Sequence, residues 1–201
     1  MILQAKNISF RYKNSSRQIL EKLTLSVDSS ERLGLTAPSG FGKTTLCKII
    51  AGYEKSDEGV ILLDEKPLSS YKKYCPVQMI WQNPEHSVNP RLKMKHILAE
   101  GNNIEPRIIE GLGIEKDWLN RYPTEISGGE LQRFCIARVL GEGTKFILAD
   151  EISTMLDLIT QSQLWNFLIE ETERRNIGLF IVSHSPTLLE KICTRQIENV
   201  W

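Results

Sequence analysis

Apolar and polar residues alternate from Ile2 to Phe10 and again from Ile19 to Val27, with a polar turn, Asn14-Ser-Ser-Arg17, between them. That period of two predicts a pair of strands, each with one buried face. Arg32 to Thr36 reads as a third strand and Thr45 to Ala51 as a helix ended by Gly52. Gly59 to Leu63 reads as a further strand, entered through the turn Ser56-Asp-Glu-Gly59. Pro76 to Trp81 reads as a buried strand running into Gln82-Asn-Pro84. The pattern then changes. As far as about Glu125 it holds short amphipathic helical pieces broken at Pro90, Pro106, Gly111, Gly113 and Pro123, which predicts a helical insertion over roughly residues 83–128. Beyond it, Glu130 to Leu140 is helical, and Lys145 to Ala149 is a strand that ends in two acids. Leu158 to Arg175 is a long helix with Leu164, Phe167 and Leu168 on one face. A strand from Gly178 to Val182 ends at Ser183-His184, a short helix spans Pro186 to Ile192, and an edge strand spans Arg195 to Val200. Strands alternating with helices imply an α/β fold, a largely parallel sheet with its site at the strand C-termini, in a single domain over residues 1–201.

Chemistry enters at Ala37-Pro-Ser-Gly-Phe-Gly-Lys-Thr-Thr45. This matches the phosphate-binding pattern G-x-x-x-x-G-K-[ST] at every position but the first, where Ala37 stands for glycine. It lies between a predicted strand and a predicted helix, as the pattern requires. Glycines let several backbone amides face one anion, and the helix N-terminus adds its positive dipole end. Lys43 can reach the β- and γ-phosphates, and the Thr44 hydroxyl can ligate Mg²⁺.

Composition narrows the picture without redirecting it. The 201 residues carry 25 Lys+Arg against 25 Asp+Glu, so no basic excess argues for nucleic acid. No apolar run is long enough to span a bilayer and no N-terminal signal pattern is present, so a cytosolic protein is expected, with any membrane role carried by a partner. Cys47, Cys75, Cys135 and Cys193 lack C-x-x-C spacing, and His86, His96 and His184 make no H-x-x-x-H pair. Disulfide frameworks and metal sites built only from protein ligands are therefore not expected.

Other motifs fall at the same edge of the expected sheet. The strand Phe146 to Ala149 delivers Asp150 and Glu151, one able to hold Mg²⁺ through water and the next to polarise an attacking water, although an acidic pair can equally cap a helix. In Ile126-Ser-Gly-Gly-Glu130, two glycines at a helix start leave amides open to an anion. Ser127 with Glu130 three positions on also fits a capping box, a purely structural alternative. Gln82 and His184 each follow a strand and are weak signals alone.

Taken in order, these motifs resemble the ATP-binding subunits of ABC transporters along the whole chain. Tyr12 resembles the aromatic residue that stacks on adenine, residues 37–45 the Walker A loop, and Gln82 the Q-loop glutamine. Ser127-Gly128-Gly129 resembles the signature, and Phe146 to Glu151 Walker B with its catalytic glutamate. Met155-Leu-Asp157 resembles the D-loop and His184 the switch histidine. Met79 to Pro84 with Ser87 to Arg91, Tyr122-Pro123, and Leu156-Asp157 with Gln161 are similar to peptide/nickel importer ATPases.

The resemblance implies the P-loop ABC-ATPase fold, an α/β core with an N-terminal antiparallel β portion and a helical insertion carrying the signature. It also implies an ATPase that works with ATP and Mg²⁺ as a head-to-tail dimer, with a second ATPase subunit that is the same or a different chain. Ser39, Gly40, Phe41, Gly42, Lys43, Thr44 and Thr45 would hold phosphates. Thr44, Gln82 and Asp150 would form the metal shell, and Glu151, His184 and Gln82 the catalytic group. Ser127, Gly128, Gly129 and Asp157 would contact nucleotide across the dimer. Transmembrane permease subunits, and indirectly a substrate-binding protein, would be partners at the inner face of the cell membrane.

Four departures stand out. Ala37 strains the loop if its backbone needs positive φ. Glu130 replaces the usual signature glutamine and brings negative charge to an anion site. Ile152 replaces a common proline. The sequence stops at Trp201, where peptide-importer ATPases usually continue. Two other classes compete with this one: a soluble ribosome-associated or DNA-repair protein, which would need a second ATPase half or a coiled-coil insertion, and a nucleotide-binding half that barely hydrolyses, against which Glu151 and His184 argue and for which Ala37 and Glu130 speak.

Overall fold

The structure is a computed structural model that describes residues 1–13, 15–38, 40–154 and 156–198. The expected roles of Asn14, Ser39 and Met155, and the expected end of the last strand at Val200, lie outside the described residues. In chain order the elements are β1 (Ile2–Phe10), β2 (Leu20–Asp28), β3 (Arg32–Thr36), α1 (Lys43–Ile50), β4 (Glu58–Leu63), β5 (Lys66–Pro67) and β6 (Val77–Ile80). There follow α2 (Met94–Ala99), α3 (Pro106–Gly111), α4 (Gly128–Val139), β7 (Phe146–Asp150), α5 (Leu158–Arg175), β8 (Gly178–Val182), α6 (Pro186–Ile192) and β9 (Arg195–Glu198).

Among the described residues the strands form two sheets. One is antiparallel, ordered β2-β1-β4-β5; the other is parallel, ordered β6-β7-β8-β3-β9. The parallel sheet is covered on both faces, which is why β7 and β8 read as unbroken apolar runs and are buried throughout. Successive residues of β7 and β8 serve different cores. Phe146, Leu148, Phe180 and Val182 pack with α1 residues Leu46, Cys47, Ile49 and Ile50 and with the inner face of the antiparallel sheet. Ile147, Ala149, Leu179 and Ile181 pack on the opposite side with α4, α5 and α6.

That second core also takes in the segment between β6 and α4 through Met94, Ile97, Ile108, Leu112 and Trp118. Charged groups fasten α3 to α5. Arg107 meets Glu170 at 2.7 Å and Glu171 at 3.2 Å, and Arg174 meets Glu171 at 2.6 Å and Glu105 at 2.8 Å. Glu171 is fully buried, and the guanidiniums of Arg107, Arg174 and, at 3.9 Å, Arg175 offset its desolvation cost. Ser127 and Gly128, at the N-terminus of α4, are exposed.

Candidate active site

Four loops leave the C-terminal ends of β3, β6, β7 and β8, the edge of a parallel sheet where ligands bind. The loop after β3 enters α1 through Gly42, whose φ of 83° is left-handed, as is that of Gly40 at 80°. A Cβ on Gly42 would also come within 2.5 Å of Ile19 Cγ2, so both conformation and space demand glycine. Ala37 is not among the residues with positive φ, and its methyl is buried. The departure at position 37 therefore carries no backbone strain.

The N-terminus of α1 has no side-chain cap. Lys43 instead turns its ammonium into the loop, where it donates to the carbonyls of Ala37 at 2.7 Å and Pro38 at 3.0 Å. Burial pulls the Lys43 pKa below its usual value, against the opposing charges of Glu151 and Asp150. Phe41 stands exposed at the loop's tip. Tyr12 places its hydroxyl 2.9 Å from Thr45 Oγ1, which brings the end of β1 over the start of α1, with its ring edge-on to Phe10.

The floor of the site is acidic. Asp150 ends β7 and is buried, and its Oδ2 has no hydrogen-bond partner. Burial raises its pKa, a hydrogen bond with the exposed Thr44 hydroxyl lowers it, and the neighbouring Glu151 charge raises it further. A buried carboxylate oxygen without a partner, beside a hydroxyl, suits a hard oxygen-seeking cation such as Mg²⁺. No cluster of three His, Cys, Asp or Glu side chains stands ready to hold a metal among the described residues. Such an ion would share Asp150 with the Thr44 hydroxyl, Gln82, phosphate and water.

Glu151 follows in the left-handed region, φ 51°, with its amide donating to Val182 O at 3.0 Å. For a non-glycine residue that conformation costs on the order of 1–3 kcal/mol. It turns the carboxylate toward the neighbouring strand ends. There His184 Nε2 lies 2.6 Å from Oε1, and Gln82 Nε2 donates to Oε2 at 3.3 Å. Gln82 comes from the end of β6 and His184 from the end of β8, so the sheet order alone brings this trio together. Gln82 and His184 are exposed while Glu151 is buried: a polar rim over an acidic floor.

Ser127, Gly128 and Gly129 are not part of this cluster: they begin α4, on the far side of the intervening segment. Both parts of the capping box are present. Ser127 N–H donates to Glu130 Oε2 at 2.6 Å, and Glu130 N–H to Ser127 Oγ at 3.2 Å. No hydrogen bond among the described residues joins this turn to the loop after β3. Asp157 is the N-cap of α5. Its carboxylate accepts from the amides of Ile159 and Thr160 and from the Thr160 hydroxyl, which holds its pKa down. The acidic pair Asp150-Glu151, by contrast, caps no helix. Two features had no sequence signal: the backbone carbonyls that receive Lys43, and the contact of Leu156 with Gly129, where a Cβ would stand 3.2 Å from Leu156 Cδ2.

A phosphate-shaped loop, an acidic floor and a bracketed glutamate on a parallel sheet flanked by an antiparallel one define an ATP-binding cassette. The chain belongs to the ABC transporter family, whose pattern matches residues 20–154. It is 30% identical to the oligopeptide transport ATP-binding protein OppF of Streptococcus mutans, over 96% of this chain and 70% of that protein. It is 28% identical to the nickel import ATP-binding protein NikE of Rhodospirillum rubrum, over 96% of this chain and 76% of that one. In fold it superposes on a dimeric ATP-binding cassette in a post-hydrolysis state bound to ADP and Pi, with a TM-score of 0.83 at 21% identity, over 98% of this chain and 93% of the other. Among the described residues no helix is long and apolar enough to cross a membrane.

Proposed function

We propose that this chain is the ATP-hydrolysing subunit of an importer of peptides or of nickel or other metal complexes. It works as one half of a cassette dimer, bound to permease subunits at the inner face of the cell membrane. The observation that carries the reading is Glu151 held between Gln82 and His184, one residue from the Asp150–Thr44 pair. This is an arrangement for activating water beside a phosphate.

In this reading Tyr12 stacks on adenine, and the loop from Ser39 to Thr45 encloses the phosphates. Lys43 exchanges the carbonyls of Ala37 and Pro38 for phosphate oxygens. Thr44, Asp150 and Gln82 would hold Mg²⁺, which when bound would supply positive charge against the phosphates. Glu151 accepts a proton from the attacking water at a carboxylate lone pair that Gln82 and His184 leave open. His184 contacts the γ-phosphate. Ser127 with the Gly128 and Gly129 amides binds the γ-phosphate held by the other subunit, and Asp157 lies at that seam. A substrate-binding protein acts through the permease.

Reconstitution tests the cargo and the coupling together. In vesicles carrying the permease subunits, this chain with Mg²⁺ and ATP should take up either an oligopeptide or a nickel chelate, with hydrolysis stimulated by that cargo. Hydrolysis without uptake of either class contradicts the assignment.

A further inference from the structure

We propose that Glu130 is a positioning residue of the composite ATP site: its carboxylate fixes the shape of the Ser127–Gly129 turn, and its charge keeps the closed dimer easy to reopen. The inference rests on the reading above that this turn receives the other subunit's γ-phosphate.

The geometry separates the two effects. Glu130 Oε2 takes the Ser127 amide at 2.6 Å, and Ser127 Oγ takes the Glu130 amide at 3.2 Å. The serine oxygen thereby serves its own helix as an acceptor, while its hydroxyl hydrogen stays free for an outside acceptor. The amides of Gly128 and Gly129 belong to the first turn and have no acceptor within the helix. The space where a Gly128 Cβ would stand is open, and Gly129 is backed by Leu156. One hydroxyl and two amides are thus presented from a turn fastened by Glu130 on one side and supported by Leu156 on the other.

A neutral acceptor at position 130 would fasten the turn as well. The carboxylate adds a negative charge within the same turn, close to where a phosphate would sit. Like charges at that range repel, and the repulsion is screened by salt. Glu130 therefore preorganises the grip and weakens it. Weakening matters only when the dimer must open again after hydrolysis.

The test measures ATP-driven dimerisation in a Glu151→Gln background, where turnover is arrested, by light scattering or sedimentation. Glu130→Gln keeps the acceptor and removes the charge; Glu130→Ala removes both. Glu130→Gln should pair roughly tenfold more tightly than Glu130→Ala, the size of a lost cap, at all salt concentrations. It should also pair several-fold more tightly than the parent at low salt, an advantage that shrinks as salt rises. In the otherwise wild-type chain, Glu130→Gln should lower KM for ATP and lower kcat, a split that a purely structural cap does not produce. Equal pairing by Glu130→Gln and Glu130→Ala removes the positioning role, and no low-salt advantage over the parent removes the charge effect. A parent that binds ATP yet never pairs, either with itself or with the second ATPase subunit of its transporter, overturns the shared-site reading itself, and this proposal with it. A pairing parent indifferent to residue 130 overturns this proposal alone.

Discussion

The N-terminus of α1 has no side-chain cap, whereas that of α4 is closed on itself by Ser127 and Glu130. Both begin with glycines, and both are assigned to phosphate. Around α1 the protein leaves polar groups poorly served. Lys43 is buried against two backbone carbonyls, Asp150 keeps an oxygen without a partner, and Glu151 stands in left-handed backbone. These are costs that a ligand can offset, so this end should gain stability when nucleotide arrives. The α4 turn has its shape without ligand. The first end is organised to respond, and the second to be presented.

The largest expected effect is on chemistry. Glu151→Gln should lower turnover by roughly 10²–10⁴-fold, the range for a positioned general base, while ATP binding survives. Near-normal hydrolysis in the purified variant would end the assignment. Asp150→Asn should separate stability from function. Burial raises the Asp150 pKa, so the fold binds that proton more tightly than the unfolded chain does. The associated stability is present below the ordinary aspartate pKa and is lost as pH rises through the higher folded value. At neutral pH the ionised form is a net cost. Asp150→Asn should thus stabilise the nucleotide-free protein by on the order of 1 kcal/mol, about 2–4 °C in Tm, and abolish the further rise given by Mg-ATP. A lower Tm without nucleotide would show that the buried carboxylate is not a cost.

Ser127→Ala probes the opposite end. Removing the cap of α4 should destabilise the protein by about 0.5–2 kcal/mol whether or not nucleotide is present, as thermal melts can show. A loss seen only with ATP would erase the contrast between the two helix ends. The smallest effect concerns Ala37. Since its φ is not positive, Ala37→Gly should cost about 0.4–1 kcal/mol through the freedom gained by the unfolded chain, with ATP affinity unchanged. A stabilised glycine variant would mean that the methyl is strained.

Much of this was legible in the chain itself. β3, β8, α5 and α6 have the bounds that their apolar patterns predict, because a strand buried on both faces, or a helix with one apolar face, leaves a plain periodic record. α1 starts at Lys43 rather than Thr45, and α4 at Gly128 rather than Glu130. Left-handed Gly42 sets the start of α1 directly before Lys43, and at α4 the Ser127 cap overrides the weak helix propensity of Gly128 and Gly129. The two-residue β5 leaves no periodicity to read. At the candidate site, residue types and spacing point to Lys43, Asp150 and Glu151, which the structure places at the same edge of the parallel sheet. What bonds to what was not legible. The left-handed Glu151 is fixed by the Val182 carbonyl on the neighbouring strand, and the clasp on its carboxylate joins residues from β6 and β8 ends that only the sheet order brings together. Asp157 is the converse case: the resemblance assigns it to nucleotide, while its carboxylate is engaged by three donors of its own helix start.

The central claim is that the two helix ends, separate within one chain, complete one site between chains. Lys43→Ala removes the phosphate grip and keeps the α4 turn; Ser127→Arg blocks the turn and keeps the grip. Each variant alone should be inactive. Mixed, they should recover part of the ATPase activity, because one of the two sites in a mixed dimer then pairs an intact loop with an intact turn. The recovery should rise steeply with protein concentration. If the natural dimer pairs this chain with a different ATPase, the two substitutions are divided between the chains. Recovered activity on mixing is the predicted result; dimers that form and remain inactive would contradict the account.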